Sequence, residues 1–362
     1  MDSKIVRVPA GPDEVSASFL TAHLHAAGFI GSNDEVISVS AQPFGTGLSA
    51  DASRFTLDYA HDGVGPVSIV GKFASADPAA RELAAIASMY SREVQFYSEI
   101  AAGVNIRAPR PIYAEHADDG RRFCLLMEDL SPARTVDQIE GCTVEEARLA
   151  MQQAAALHAS SWRRRELAGK PWLATMVEAV VATAASAHTF RDSFIDKFGS
   201  RLHHDELQAI RQVCDHAQAW AATLGDPVCL WHHDFRTDNL LFDGLDGSVP
   251  LATCDWQTLA FGPGVADVSY FLGTSLQTDV RRVHERELVG VYHDALQRGG
   301  VADYTFDDCW LDYRRHAIHG LFTAVHASGR SKRTDRGDAL WLNWAQRTAA
   351  QVIDLESIRA LG

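Results

Sequence analysis

Hydrophobic and polar residues alternate in short runs along the first 130 residues of the chain, a pattern typical of β-strands. Runs rich in β-branched and aromatic side chains predict strands at residues 36–40, 54–59, 67–73 and 123–127. The segment Gly45-Thr46-Gly47 separates the first two strands, because glycine is typical of turns. This part of the chain is therefore predicted to form a small sheet.

Residues 78–101, between the third and fourth predicted strands, carry apolar side chains at helical spacing. The stripe consists of Leu83, Ile86, Met89, Val94, Tyr97 and Ile100. We expect one long helix here.

The pattern becomes mostly helical after residue 130. Thr143, with Glu146 three residues later, predicts the capped start of a helix with Ala147, Ala150, Ala154 and Leu157 on one face. Further helices are predicted at residues 174–198, 204–223, 279–298, 306–328 and 338–359, and short apolar pieces at 228–231, 240–242 and 251–254. The chain is thus predicted to be α+β, with an N-lobe at 1–130 and a larger, mainly helical C-lobe at 131–362.

Composition and charge narrow the functional classes. With 362 residues, 46% hydrophobic and 22% charged, the chain is typical of a globular enzyme with room for two cores. A net charge of −14 argues against nucleic-acid partners and anionic membranes. No apolar run has the length of a membrane span, and the N-terminus lacks a signal-peptide pattern. The six scattered cysteines favour reduced thiols, so we expect a cytoplasmic protein without structural zinc.

Candidate chemistry is concentrated in two nearby segments. Asp234 is followed by Asn239 five residues later and by Asp255 twenty-one residues later, with apolar runs before and between them. A lone Asp in a loop is usually a turn or cap residue, but the combination is less ordinary. It resembles the catalytic and metal-binding loops of protein-kinase-like phosphotransferases. The resemblance implies that Asp234 orients a hydroxyl nucleophile, while Asn239 and Asp255 hold Mg²⁺ against the phosphates of ATP.

Within that fold, the chain resembles the aminoglycoside phosphotransferase and choline-kinase-like enzymes. The ecdysteroid-kinase-like branch is the most similar, because of Cys-Asp-Trp-Gln at residues 254–257 and Asp-Val-Ser-Tyr-Phe-Leu at 267–272. The motifs match residues 230–276 closely and 45–130 loosely. The resemblance implies a two-lobe fold with a small antiparallel N-lobe sheet, and ATP and Mg as cofactors.

Three residues near Asp234 receive roles from the resemblance. His232 and Asp267 correspond to residues that support the catalytic loop. Arg236 lies where protein kinases often carry a phosphate-contacting lysine; a surface arginine paired with Asp238 is the alternative. His233, where many relatives have Gly, receives no role.

Lys72 ends an apolar strand and resembles the lysine that pairs with the α- and β-phosphates of ATP. A lysine inside an apolar strand is costly to bury without a partner. Glu82 and Glu93 of the following helix are the candidates, and Glu93 is favoured because Glu93-Val94-Gln95-Phe96-Tyr97 resembles the ExxFY stretch of ecdysteroid-kinase-like proteins. An ordinary surface lysine is the alternative.

Two further segments are candidates for nucleotide contacts. Gly45 and Gly47 would cover phosphates through backbone N–H groups, although hairpin turns use glycine for conformational reasons as well. Met127 and Glu128 follow the last N-lobe strand, where a kinase hinge binds adenine by backbone groups. Neither segment distinguishes ATP from GTP.

The acceptor is expected to be a small-molecule alcohol. Only eleven residues separate Asp255 from Asp267 and no Ala-Pro-Glu follows, which leaves no room for the activation segment that docks a protein substrate. Aromatic residues of the helical part favour a lipophilic or acyl acceptor (steroid-like, hydroxyacyl-CoA or antibiotic) over a polycation, unless they are ordinary packing residues. These candidates are Trp162, Trp172, Phe190, Phe194, Trp310, Tyr313, His319, Phe322 and Trp341. A catalytically silent nucleotide-binding pseudokinase is the alternative, against which the intact catalytic set argues.

Overall fold

The computed structural model of the chain describes residues 8–45, 49–329 and 334–362. These residues belong to two compact units. The sheet unit comprises the described residues up to Gly103, Ala108–Ser131 and Asp255–Thr258. The helical unit comprises Val104–Arg107, Pro132–Cys254 and the described residues from Leu259 onward. The chain therefore enters the sheet unit a second time for the four residues that begin with Asp255.

The sheet unit contains a five-stranded antiparallel sheet in the order β1-β2-β3-β5-β4. Its strands are β1 (Val36–Pro43), β2 (Ala50–Tyr59), β3 (Ser68–Ala74), β4 (Pro111–His116) and β5 (Phe123–Glu128). The four predicted strands are present, and the predicted α+β class is confirmed. The edge strand β4 was not predicted, because its sequence Pro-Ile-Tyr-Ala-Glu-His offers little apolar alternation.

Three helices accompany the sheet: α1 (Ala17–Ala26), α2 (Pro78–Ile86) and α3 (Met89–Gln95), the last continued by a π turn at Phe96–Ile100. The single helix predicted for 78–101 is broken at Ser88, whose φ of 55° is left-handed. Leu83 and Ile86 are consequently exposed, so the first part of the predicted apolar stripe is wrong. A left-handed residue changes the direction of the chain, and one stripe cannot continue across it.

The helical unit contains mainly α-helices. Over the described residues these are α4 (Val144–Ser161), α5 (Arg165–Ala168), α6 (Pro171–Ala185), α7 (Ala187–Phe198), α8 (His204–Asp215), α9 (Ala217–Ala221), α10 (Val265–Ser275), α11 (Thr278–Arg298), α12 (Phe306–His316), α13 (Ile318–Ser328) and α14 (Asp335–Asp354). The helices predicted at 174–198, 204–223 and 306–328 are each divided into two.

Two short antiparallel ribbons interrupt the helices: β6 (Cys229–Trp231) pairs with β9 (Ala260–Gly262), and β7 (Leu240–Gly244) pairs with β8 (Val249–Thr253). Between β6 and β7 the chain forms a loop that ends in a 3-10 turn, Thr237–Asn239. We call residues 232–239 the catalytic loop, after the role that the sequence resemblance predicts for it. Its two ends are fixed by ribbons whose apolar residues are buried in the helical unit.

Helix capping and burial follow the sequence pattern in the helical unit. Thr143 and Glu146 form the predicted capping box at the start of α4. Every residue of α10 is buried, so its polar side chains require partners inside the protein. None of the described helices is by itself long and apolar enough to cross a membrane; the segments Pro171–Ala185 and Ala187–Arg201 pass such a test only as a pair bent by 66°.

Candidate active site

Asp234 lies in the middle of the catalytic loop and accepts hydrogen bonds from three side chains. Its Oδ1 accepts from Arg236 Nε at 3.0 Å and from the hydroxyl of Tyr270 at 2.8 Å. Its Oδ2 accepts from Asn239 Nδ2 at 2.9 Å, and the same nitrogen donates to the Asp234 carbonyl at 2.8 Å. An ionised carboxylate has about four acceptor positions, two on each oxygen. One position, on Oδ2, is therefore left for another donor.

Arg236 contacts two carboxylates. Besides Asp234, its Nη1 makes a short contact with Asp238, and its guanidinium lies 5.7 Å from the ring centre of Trp344. Burial acts to lower the pKa of Arg236, but the two carboxylates outweigh burial and hold the pKa above its ordinary value. The pairing with Asp238 expected under the alternative interpretation is thus present, and it coexists with the contact to Asp234.

Asp267, on α10, holds the start of the catalytic loop. Its Oδ2 accepts the backbone N–H of His232 at 2.8 Å and its Oδ1 accepts that of His233 at 2.9 Å. His158, fully buried, lies 3.3 Å from the same carboxylate. The His232 ring contributes a further contact, from Nε2 to the carbonyl of Cys254 at 3.1 Å. These contacts fix the backbone from which Asp234 projects.

His233 adopts a left-handed backbone conformation, with a φ of 71°. This conformation explains why glycine suits the position, since a side chain there costs roughly 1 kcal/mol. The His233 ring packs against Trp231, at 4.5 Å between ring centres, and against His319, at 4.8 Å. His233, to which the sequence analysis gave no role, also lines a cavity in the helical unit.

Tyr270, three residues after Asp267 on α10, was not singled out by the sequence as a site residue. Its side chain is buried, and its ring stacks on His319 at 4.7 Å. Burial, together with the Asp234 carboxylate, raises the pKa of the Tyr270 hydroxyl well above its ordinary value. The hydroxyl consequently remains a hydrogen-bond donor to Asp234 at neutral pH. The helical spacing from Asp267 was the only available signal, because the two residues share one buried helix.

The second group of predicted residues lies in the sheet unit. Lys72, on β3, donates to both carboxylate oxygens of Glu93, at 2.9 and 2.8 Å, and lies 3.4 Å from Asp255. Glu82, the other candidate partner, pairs instead with Arg121 on the surface. Burial raises the pKa of Glu93, whereas the Lys72 ammonium acts in the opposite direction. The buried carboxylate thus positions the ammonium group of Lys72 on its strand.

Gln257 extends this group. Its Nε2 donates to Glu93 at 3.2 Å, and its Oε1 accepts from the Ser49 hydroxyl at 2.6 Å. Tyr90 donates to the carbonyl of Ser49 at 2.6 Å. In the sequence, Gln257 appeared only as the last residue of the motif Cys-Asp-Trp-Gln. In the structure, its amide group links Ser49, at the start of β2, to Glu93, the partner of Lys72.

The predicted metal ligands carry suitable donor atoms. Asn239 Nδ2 is used by Asp234, so the oxygen Oδ1 is the side-chain atom that remains for a cation. Asp255 has a left-handed φ of 62° and supplies an anionic oxygen. Cys254, the residue before it, donates its backbone N–H to the carbonyl of Asn239 at 3.0 Å. An amide oxygen and a carboxylate oxygen are each hard donors of the kind that Mg²⁺ prefers.

The remaining nucleotide candidates are defined only in part. Gly45 is left-handed, with a φ of 75°, which explains the glycine, and Gly47 lies outside the described residues. Met127 is buried within β5. The backbone N–H of Glu128 donates to Arg110 at 2.9 Å, so a backbone contact from Glu128 to adenine would have to use its carbonyl. The roles of these four residues stay predictions.

A cavity of about 80 Å³ lies within the helical unit beside His233. Of the nine aromatic candidates, only His319 and Phe322 line it. Six of the others belong to helix packing: Phe194 and Tyr313 are fully buried, Trp162 packs on Tyr304, Trp341 stacks on Trp344, Trp310 stacks on Tyr313, and Phe190 packs against the buried apolar residues of the helical unit. Trp172 is half-buried and does not line the cavity. The lining also includes Trp220 and the α6 residues Met176 and Val180, which the sequence interpretation did not select.

Comparisons with known proteins identify a family and a fold. Residues 49–300 match the model of the ecdysteroid kinase-like family. A candidate aminoglycoside phosphotransferase of Ralstonia eutropha has a TM-score of 0.50 at 15% identity, with 94% of this chain and 97% of that chain covered. The GDP complex of wild-type aminoglycoside 2'-phosphotransferase-IIIa has a TM-score of 0.50 at 14% identity, with 92% and 98% covered. These likenesses show a kinase-like fold. No curated protein sequence matches.

Proposed function

Because the chain belongs to the ecdysteroid kinase-like family of small-molecule kinases, we propose that it transfers the γ-phosphoryl group of ATP to a hydroxyl group of a small molecule, with Mg²⁺ as cofactor. The observation that carries the proposal is the hydrogen-bond set around Asp234. A carboxylate held by three side-chain donors, with one acceptor position left on Oδ2, is suited to orient an attacking hydroxyl.

Asp234 orients the acceptor, and the other site residues position the nucleotide and stabilise negative charge on the phosphates. The acceptor hydroxyl donates to Asp234 Oδ2, which takes its proton as the oxygen attacks the γ-phosphorus; the bond from the γ-phosphorus to the bridging oxygen breaks and ADP leaves. Arg236, held by Asp234 and Asp238, places positive charge near the reacting oxygens. Lys72, positioned by Glu93, binds the α- and β-phosphates. His232 and Asp267 act on the loop backbone and do not touch substrate.

Asn239 and Asp255 are the proposed ligands of the magnesium ion. When bound, the ion neutralises phosphate charge and helps to align the transferring group. Asn239 has a second task that is independent of the metal, because its Nδ2 donates to the side chain and the carbonyl of Asp234. The same amide therefore fixes the base through its nitrogen and offers its oxygen to the cation.

An activity screen with the Asp234→Asn variant tests the proposal. Purified wild-type chain is incubated with ATP or GTP, Mg²⁺ and a panel of alcohols, and nucleoside diphosphate release and phosphorylated product are measured. We expect product with the wild type and a loss of about 10³-fold in kcat in the variant, since general-base removal typically costs 10² to 10⁴. Nucleotide affinity should change little.

The screen also separates the enzyme from a silent nucleotide-binding protein. Tight ATP binding by the wild type, without a phosphorylated product from any alcohol and without ATP hydrolysis, would favour the silent protein. Turnover that persists at the wild-type rate in Asp234→Asn would remove Asp234 from the proposed role.

A further inference from the structure

The cavity beside His233 has an apolar floor and an open rim. Trp220, His319 and Phe322 are fully buried and form its floor, whereas Met176 and Ala179 of α6 lie at the rim, where Ala179 is exposed. At about 80 Å³ the cavity is roughly half the size of a protein cavity that holds benzene, which is about 150 Å³. It therefore suits one end of a small molecule.

His319 is a polar side chain in this apolar floor whose hydrogen-bonding capacity is not filled by the chain. The residue is 1% exposed, and neither Nδ1 nor Nε2 makes a hydrogen bond of normal length within the described residues, although the Ala266 carbonyl lies near enough to act on its pKa. Its ring stacks on Trp220, at 5.9 Å, and on Tyr270, at 4.7 Å, and also packs against Trp231 and His233. Buried polar atoms are normally paired, and one carbonyl contact can serve only one of the two ring nitrogens, so at least one nitrogen remains for a partner that is supplied from outside the chain.

The electrostatics of the cavity disfavour a cationic ligand. Among the described lining residues none is acidic, and three are histidines: His233, His319 and His326. Burial, with the neighbouring histidines, lowers the pKa of His319 well below its ordinary value, and the Ala266 carbonyl opposes this only partly. His319 is thus neutral and offers one donor and one acceptor nitrogen. An ammonium group would lose its hydration here without meeting a carboxylate.

The cavity is connected to Asp234 by a single side chain. Tyr270 stacks on His319 with its ring and donates to Asp234 Oδ1 with its hydroxyl. His233, on the cavity wall, is the residue immediately before Asp234. A molecule in the cavity therefore lies against the residue that precedes the proposed base and against His319, on which Tyr270 stacks.

We propose that this cavity is the acceptor subsite and that it takes an uncharged, mostly apolar end of the alcohol, about three to five non-hydrogen atoms in size, with His319 hydrogen-bonded to a hydroxyl or carbonyl group at that end. The inference rests on the proposed function and specifies its substrate class. Compact neutral alcohols are accepted, and alcohols that carry an amine at the corresponding position are rejected.

Binding of three alcohols of equal size tests the subsite without requiring turnover. Butane-1,4-diol carries a neutral polar end, 1-pentanol an apolar end and 4-amino-1-butanol a cationic end. Saturation-transfer NMR with the full chain gives their dissociation constants. We expect the diol to bind at least tenfold more tightly than the amine, and His319→Phe to weaken diol binding roughly three- to tenfold, the worth of one hydrogen bond, with 1-pentanol unchanged.

A matched pair of variants on α6 locates the ligand. Val180 lines the cavity, whereas its neighbour Val181 is 46% exposed and does not. Val180→Phe fills the cavity and should abolish diol binding, and Val181→Phe adds the same ring at the surface and should leave it intact. Equal diol binding in these two variants, or amine binding as tight as diol binding, overturns the subsite.

Nucleotide measurements on the same samples separate this inference from the proposed function. If Val180→Phe leaves alcohol binding unchanged while ATP binding and Asp234-dependent turnover persist, only the subsite is refuted. A wild type that binds no nucleotide would refute the proposed function, and the subsite with it. Diol binding that is lost in Val180→Phe, together with intact ATP binding, supports both.

Discussion

At the scale of single residues, the hydrogen-bond donors to the Asp234 carboxylate include both sequence neighbours and a residue far along the chain. Arg236 and Asn239 belong to the same loop, whereas Tyr270 is 36 residues away. The two donors on Oδ1 use both of its acceptor positions, which leaves Oδ2 for the acceptor hydroxyl. The direction from which the substrate approaches Asp234 is thus set in part by a tyrosine on another element.

Tyr270→Phe should lower kcat about tenfold while the protein stays folded. The variant removes one hydrogen bond to a carboxylate, a contact worth about 1.5 to 3 kcal/mol when charge is involved. Steady-state kinetics of the wild type and the variant measures the change in kcat.

Tyr304→Phe is the matched control for Tyr270→Phe. Tyr304 is also a buried tyrosine that donates to a carboxylate, Asp312, at 2.9 Å, but this pair does not contact Asp234. A similar loss of stability in both variants, with a loss of kcat only in Tyr270→Phe, is the expected result. An equal change of kcat in the two variants would show that Tyr270 acts only through packing.

Glu93→Gln should weaken ATP binding about tenfold, which corresponds to ~1.4 kcal/mol. The neutral amide attracts Lys72 less than the carboxylate does, and the ammonium group then shifts toward Asp255, its other neighbour. A titration of the protein with ATP measures the change. Glu82→Gln, which alters the surface pair with Arg121, should leave the affinity unchanged; an equal effect of both variants would contradict the assigned partner.

At the scale of elements, the catalytic loop is ordered by α10 as much as by its own sequence. Asp267 accepts two consecutive backbone N–H groups of the loop, and Tyr270, one turn later, contacts the loop's carboxylate. Because α10 is buried along its whole length, neither side chain can turn to solvent. One rigid helix therefore fixes both the backbone and the carboxylate of the loop.

Asp267→Asn should destabilise the helical unit by about 2 kcal/mol and lower kcat. The amide replaces one acceptor by a donor that opposes a backbone N–H, and a buried donor without a partner costs about 1 to 3 kcal/mol. Urea unfolding followed by tryptophan fluorescence measures the stability. Asp279→Asn makes the same change at an exposed helix start, where the carboxylate accepts only the N–H of Val280, which an amide oxygen can also accept, and it should cost under about 0.5 kcal/mol. Equal costs would argue against the supporting role.

At the scale of the whole molecule, buried neutral histidines make stability depend on pH. His316 is 1% exposed and accepts a hydrogen bond from Trp220 Nε1 at 3.1 Å through its Nδ1. Burial, followed by the charge of Arg315, lowers the pKa of His316 to about 3. Since protonation of Nδ1 would remove the acceptor, this part of the core requires the neutral ring.

Lowering the pH from 7.5 to 5.0 should therefore destabilise the wild type. The unfolded chain has a histidine pKa near 6.5 and takes up the proton first, so the contribution of His316 is complete above about pH 6.5 and declines as the pH falls toward 3. At 1.36 kcal/mol per pH unit, the loss by pH 5 is about 2 kcal/mol for this residue. His316→Gln does not titrate, and its stability should fall less over the same interval by that amount. Parallel declines would contradict the assignment.

The sequence by itself determined the α+β class, four of the sheet strands and the capped start of α4, and it singled out Asp234, Asn239 and Asp255 as candidates for the site. These features depend on local periodicity, on turn and cap chemistry, and on short spacings within one loop. Only the tertiary structure decided the break at Ser88, the contact of Tyr270 with Asp234, the division of Cys254 and Asp255 between two units, and the cavity at His319. Those features depend on which side chains from distant parts of the sequence come into contact, and on which buried polar atoms are left without a partner. Neither of these properties produces a periodic pattern in the sequence.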